Sequence, residues 1–357
     1  MGSKAVKNQP AHRRRRRWLW ILLAILIVMS VASGAALYAG YLYFSYDLPK
    51  LDKLSDYRPK TISRFYAADG TVLAEYYTER REVIPLQRMS QNLINSFVAA
   101  EDAKFFEHPG ISLKAILRAA IRNLEAGRIV QGGSTITQQV CKSFLLTPEK
   151  SYRRKIREAI LAYRIDRKFT KNEILYLYLN QIYLGEGTYG VEAAAQAYFG
   201  KSVEDLRLAE CSMLAGLPQA PSRYSPRTNP GKARERQLYV LNRMVEEGYI
   251  TTEQAQQAAR ERIVIKAKKP SHLHLAPYFC DHVRHLIEQR FGAKTLLEDG
   301  LKVYTTLDLK KQEIAERAVA KGLRELDRRE GYRGPLERLS PDKVAPFVEQ
   351  LANQTQP

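Results

Sequence analysis

The sequence predicts a mainly α-helical chain: one N-terminal transmembrane helix, a long helical body, and a mixed α/β region after it. Three observations predict this. Residues 18–46 carry no charged side chain and are largely apolar. Between residues 90 and 250, apolar side chains recur at helical spacing behind good N-cap residues. From about residue 261, short strand-like runs appear.

The apolar run is long enough for about 20 helical residues across a ~30 Å hydrocarbon core. Its most apolar part is 21–31. Trp18 and Trp20 flank one end, and Tyr38, Tyr41 and Tyr43 the other, as interfacial belts do. Arg13 to Arg17 abut the N-terminal end. The positive-inside rule then places residues 1–17 in the cytoplasm and everything after Asp47 outside. Ala32, Ser33 and Ala35 are small enough for a cleavage site. The apolar stretch exceeds an h-region of about 7–15 residues, however, so 18–46 is read as an uncleaved anchor.

The formal charge is +19, and seven of the cations, Lys4, Lys7 and Arg13 to Arg17, precede residue 18 with no acid among them. The body is basic as well. That suits nucleic acid, anionic lipid or an anionic substrate. An exported body faces away from nucleic acid, which is set aside as a partner. The hydrophobic fraction of 45% supports a packed core and argues against general disorder. Cys141, Cys211 and Cys280 are scattered, odd in number and without CxxC spacing. They read as small buried residues, not a disulfide framework or metal site.

After the anchor, residues 47–75 form a juxtamembrane segment. Thr61 to Tyr77 alternate about Asp69-Gly70, which predicts a β-hairpin. Residues 76–250 form the helical domain. Ser90 caps a helix with Leu93, Ile94, Phe97 and Val98 on one face. Ile111 to Leu124 form a basic amphipathic helix, suited either to a membrane surface or to a core. Thr170 and Glu173 form a capping box. Ser202 opens a helix closed by Gly216 and Pro218. Residues 251–357 are read as a linker and the start of a further region. Arg262 to Lys266 and Leu301 to Leu307 read as strands, and Asp308 caps a charged helix running toward Gly331.

Four constellations carry chemistry. In EDAKFFEHPG, Glu101 lies four residues after Phe97, on an apolar stripe. A carboxylate buried there has a raised pKa and suits a general base. The same spacing fits a solvent-exposed acid at a helix end. In GGSTITQQ, two glycines precede Ser134, Thr135, Gln138 and Gln139. These offer neutral donors to phosphate or sugar, or simply start a helix. RRKIRE sets four cations beside Glu158; they suit a pyrophosphate, or a solvated face with an Arg154–Glu158 pair. Gly185 to Gly190 match GxGxxG, with Asp205 twenty residues on. The preceding periodicity is helical, so a tight interhelical turn is the better account.

In this order, EDAKFFEHPG, GGSTITQQ, RKIRE, ILYLYLNQIYLGEGTYGVEAAAQAYFGK and LAECSMLAGLPQAPSRYSP resemble the five motifs of the family 51 glycosyltransferases. These are the peptidoglycan polymerase domains of class A penicillin-binding proteins. Further on, APYFCDHVRHLIEQRFG, GLKVYTTLDLKKQEIAERAV and LDRREGYRGP resemble the linker of the 1A type. The resemblance implies a lysozyme-like helical domain at the outer face of a bacterial inner membrane. It implies polymerisation of lipid II into β-1,4-linked glycan with inversion and release of undecaprenyl pyrophosphate. By motif position Glu101 is the general base and Glu158 the second catalytic carboxylate, orienting cations or a metal. Lys142, Arg154 and Lys155 neutralise the pyrophosphate, and Asp102, Phe105, His108, Thr135 and Gln139 also match site positions. No cofactor is certain. A divalent cation, magnesium or manganese, is compatible with the pyrophosphate, with no metal ligands identified. Lipid II, nascent glycan, the membrane and other cell-wall synthesis proteins are the expected partners. The one SxxK match, Ser340-Pro341-Asp342-Lys343, contains a proline and has no Lys-Thr-Gly after it. Transpeptidase activity is therefore not expected of this sequence, whose C-terminal region reads as incomplete.

Overall fold

The computed structural model describes residues 11–46, 48–49, 51, 59–127, 132–145, 151–267, 275–331, 334 and 338–354. Lys4 and Lys7, and the side chains of Arg13 to Arg17, Trp18 and Ala120, fall outside the described part. The chain divides into two compact units. The first comprises residues 1–63, 76–270 and 293–301; the second comprises 64–75, 271–292 and 302–357.

The first unit begins with helix α1, Ala11–Ser45. Its stretch Trp20–Ser45 has 26 residues and is long and apolar enough to cross a membrane. At 1.5 Å per residue it spans about 39 Å. The helical body follows as α2 (Gln91–Glu101), α3 (Leu113–Glu125), α4 (Ile136–Leu145), α5 (Tyr152–Lys168) and α6 (Lys171–Gln181). It continues as α7 (Val191–Tyr198), α8 (Leu208–Ala215), α9 (Pro230–Glu246) and α10 (Thr252–Arg260). Two-residue strands β3 (Arg80–Arg81) and β4 (Thr188–Tyr189) pair in parallel.

The caps explain where these helices start. Ser90 accepts Leu93 N–H, Ser112 accepts Ala115 N–H, and Thr170 with Glu173 completes a capping box. The core collects Leu93, Phe97 and Val98 of α2, Ile136 and Val140 of α4, and Leu161 and Ile165 of α5. Ile174 and Tyr178 of α6, Leu214 of α8 and Val240 of α9 complete it. Each large apolar side chain buried there contributes about 1.5–3 kcal/mol. Asn180 is buried and bonds both N–H and C=O of Ile84 at 3.0 Å, tying the segment before α2 to α6.

The second unit contains β1 (Ser63–Tyr66), β2 (Val72–Tyr76) and β5 (Lys302–Tyr304) in the order β2-β1-β5. The hairpin turns at Asp69-Gly70, with Gly70 at φ 83° and Ala67 N–H bonded to Thr71 O. Strand β5 joins β1 in parallel, Phe65 opposite Val303. Helix α11 (Pro277–Phe291) and helices α13 (Leu309–Arg329) and α14 (Pro341–Gln354) also belong here. The short α12, Ala293–Glu298, belongs to the first unit. Asp308 caps α13 by accepting Lys310 and Lys311 N–H, as expected.

Three expectations need correction. Ser202 opens only a 3-10 turn, Val203–Asp205. The α-helix restarts at Leu208, because Arg207 is extended and its N–H is taken by the Glu210 carboxylate. Arg262 to Lys266 join no ladder among the described residues. Lys266 N–H bonds Tyr198 O and Arg227 Nε holds Lys266 O, so this segment straps the helical body. Of Leu301 to Leu307, only 302–304 form a strand.

Candidate active site

Glu101 is the last residue of α2. It borders an open cleft of about 850 Å³. Helix α4 supplies Gln139 and Lys142, α5 supplies Arg154, Lys155 and Glu158, and Ser134 lies on the loop between α3 and α4. Tyr183, Tyr189, Pro218, Gln219, Pro221, and Arg236 and Tyr239 of α9 also line it. A second space of about 240 Å³ shares Glu101, Arg122, Ser134 and Tyr239 with the first, and adds Asp102, Lys104, Arg118, Thr135 and Arg243. Glu101 thus stands where two basic clefts meet.

Gln139 Nε2 donates to Glu101 Oε2 at 2.7 Å. Burial raises the Glu101 pKa above its ordinary value. The Gln139 bond and the charge of Arg236 act against that rise, and neighbouring Asp102 adds to it. A base that holds its proton more tightly than a free carboxylate is matched to work nearer neutral pH. Glu101 is half-buried at the end of the apolar stripe, neither sealed in the core nor fully in solvent.

Glu158 is 3% exposed and organises the cations. Lys155 Nζ bonds Glu158 Oε1 and also donates to Ser134 Oγ at 2.7 Å. Arg154 Nη1 lies 3.6 Å from Glu158 Oε2, and its Nε is buried without a partner. Lys142, exposed in the last turn of α4, makes no ion pair among the described residues. Lys142, Arg154 and Lys155 line one cleft, an arrangement of cations that suits a polyanion. Among the described residues, no three His, Cys, Asp or Glu side chains converge on one point. Glu158's oxygens already face cations. This donor set does not fit a divalent ion held by the protein alone.

The remaining motif residues build the frame. Asp102, 7% exposed, faces His108 Nε2 with both oxygens at 3.0 Å and accepts Ile136 N–H at 3.0 Å. Thr135 N–H donates to Gln138 Oε1 at 2.9 Å, and Gln138 N–H donates to Thr135 Oγ1 at 3.1 Å. That is a capping box at the start of α4. Thr135 Oγ1 also donates to Gly110 O at 2.7 Å. At Gly110, φ is 77° and a Cβ would meet Ala162 O at 2.3 Å, so only glycine fits. Phe105 is fully buried, with Lys171 Nζ 4.7 Å from its ring. Phe105, His108 and Gln138 line neither cleft; Glu101, Ser134, Gln139, Lys142, Arg154, Lys155 and Glu158 line the larger one.

Sequence reasoning missed Arg236, Tyr239, Tyr183 and Tyr189. Tyr183 and Tyr189 stand 5.0 Å apart as a tilted pair. The Arg236 guanidinium lies 4.2 Å from the Tyr239 ring and 5.8 Å from Tyr224. Nothing in the spacing of α9 marks Arg236 as facing Glu101. The GxGxxG segment is a turn between α6 and α7, as expected, with Gly185, Glu186, Gly187 and Gly190 all at positive φ. It also holds β4, which the sequence did not suggest. The three cysteines are buried and free.

Residues 69–245 match the family model described as Transglycosylase. The chain is 43% identical over 334 residues to penicillin-binding protein 1A of Rickettsia felis, covering 92% of this chain and 42% of that protein. It is 43% identical over 312 residues to penicillin-binding protein 1A of Escherichia coli, covering 87% and 37%. The crystal structure of penicillin-binding protein 1A from Haemophilus influenzae aligns with a TM-score of 0.46 at 30% identity, covering 82% of this chain and 35% of that one. The chain spans about two fifths of the length of the curated relatives it matches. Residues 69–245 thus belong to the transglycosylase family, and most of the chain is similar to penicillin-binding protein 1A.

Proposed function

We propose that the chain is a peptidoglycan glycosyltransferase that polymerises lipid II, with inversion, into β-1,4-linked glycan. The observation that carries this is the meeting of two basic clefts at Glu101. One holds the growing glycan on undecaprenyl pyrophosphate, the other the incoming lipid II. Glu101 takes the proton of the acceptor 4-hydroxyl as that oxygen attacks the donor anomeric carbon. The pyrophosphate leaves as a stable anion and needs charge neutralisation more than a proton. Lys142, Arg154 and Lys155 supply it, and Glu158 orients Arg154 and Lys155. Asp102, His108, Thr135 and Gln138 act by holding α4, and with it Gln139, against Glu101. Phe105 acts by packing beneath them.

Helix α1 anchors the chain in a bacterial inner membrane, with the Arg13 to Arg17 end in the cytoplasm and the catalytic domain on the periplasmic side. Helix α3 supports a position of the domain at a membrane surface. Leu113, Leu117 and Leu124 on it are 79%, 64% and 85% exposed, an unpaired apolar face for a lipid surface. Membrane lipid, lipid II and glycan are thus the partners. Nucleic acid is not one, and contacts with other cell-wall synthesis proteins fit the same location.

Purified chain supplied with lipid II is expected to yield polymer and undecaprenyl pyrophosphate. Release of soluble fragments from isolated cell wall, with no polymer from lipid II, would replace this reading by that of a lytic enzyme.

A further inference from the structure

Beside the larger cleft lies a second apolar feature, a trough of about 560 Å³ between α1 and α5. Tyr41 of α1 forms one wall, and Ile156, Ala159, Ile160 and Tyr163 of α5 form the other. Lys155 lines both the trough and the cleft. On a helix, positions 155, 156, 159, 160 and 163 share one stripe. At 1.5 Å per residue it runs about 12 Å from the cation to Tyr163. Glu158 lies off that stripe, buried toward the cleft.

The trough is a formed feature of the fold. Arg164 donates to Tyr41 Oη at 2.8 Å and lies over the Tyr41 ring, and Arg153 lies over Tyr43 at 5.7 Å. These contacts fasten the membrane helix to the helix that carries the cations. Yet Ile156 and Tyr163 remain 41% and 44% exposed. An apolar channel that opens at a cation and runs along a membrane helix has one matching ligand chemistry: a long hydrocarbon chain ending in an anionic group.

We propose that this trough seats the first isoprene units of the polyprenyl chain whose pyrophosphate lies at Lys155 and Arg154. The proposal rests on the glycosyltransferase reading above, and adds where the lipid leaves the cleft. It assigns a role in substrate binding to Ile156, Ala159 and Ile160, none of which carries a polar group. The trough selects for chain chemistry, whereas bulk membrane lipid covering the same surface would not.

Two measurements on the full chain test it. The first uses lipid II carrying either its undecaprenyl chain or a methyl group in that chain's place. Ala159→Trp fills the trough. The KM for the undecaprenyl substrate is expected to rise about tenfold at unchanged kcat, the effect of losing burial of about two methylenes. The methyl-capped substrate has no isoprene unit to seat and is expected to be unaffected. No change on either substrate, or an equal loss on both, overturns the proposal. The second uses undecaprenyl pyrophosphate with a diazirine in its first isoprene units. Photolabel on Ile156, Ala159 or Ile160 supports the trough, and label confined to other segments overturns it. That binding readout stands whether or not the chain makes polymer, so failure of the trough and failure of the enzymatic reading are seen separately.

Discussion

Glu101 is a carboxylate whose surroundings favour its protonated form, relieved by one hydrogen bond from Gln139. A base must be ionised, so turnover should fall as pH falls through that raised pKa. The acid limb of the rate profile is expected above the ordinary carboxylate value of 4.5. The stability consequence has the opposite sign. A pKa raised on folding stabilises the fold fully below the unfolded value, and that stability is lost as pH rises through the folded value. Glu101→Gln should therefore melt higher than the parent at neutral pH and no higher at acid pH; equal melting at neutral pH would contradict the burial. Lys155 and Arg154 stand in a different position. Lys155→Ala and Arg154→Ala each remove a charge-assisted contact worth about 1.5–3 kcal/mol, so polymerisation should fall roughly ten- to a hundredfold. Wild-type kinetics in both would return them to an ordinary surface pair.

Helix α4 shows how an element can matter without touching substrate. Its first turn is held by Asp102 and by the Thr135–Gln138 box, and its next turn presents Gln139 to Glu101. Gln138→Ala should cost about 1 kcal/mol of stability with little change in KM. A normal melt with a tenfold higher KM would instead make Gln138 a substrate contact. Caps of this kind were legible beforehand: Ser90, Thr170 and Asp308 each start the helix expected of them, since the signal is local. What was not legible depends on distant partners. Arg262 to Lys266 have the alternation of a strand but meet Tyr198 and Arg227 rather than another strand. The pairing of β1 with β5 joins residues far apart in sequence. Arg236 faces Glu101 only because α9 packs against α2, and no periodicity within α9 shows that. Likewise GGSTITQQ reads equally as donor loop or helix start, and the structure uses Ser134 and Gln139 at the cleft and Thr135 and Gln138 as the cap.

At the scale of the whole molecule, the account joins an anchor, a membrane-facing apolar helix and a cleft above them. It requires the body to lie outside the cytoplasm. Protease added to the outside of spheroplasts should digest residues beyond the anchor and spare a tag placed before Arg13. The reverse pattern would invert the topology and remove lipid II from reach of the cleft. The central claim remains the chemistry at the junction of the two clefts. The most direct measurement is polymerisation of lipid II by the purified chain and by a folded Glu101→Gln variant in parallel. The account predicts polymer from the parent and a loss of about 10²–10⁴-fold in the variant; near-normal turnover by the variant would contradict it.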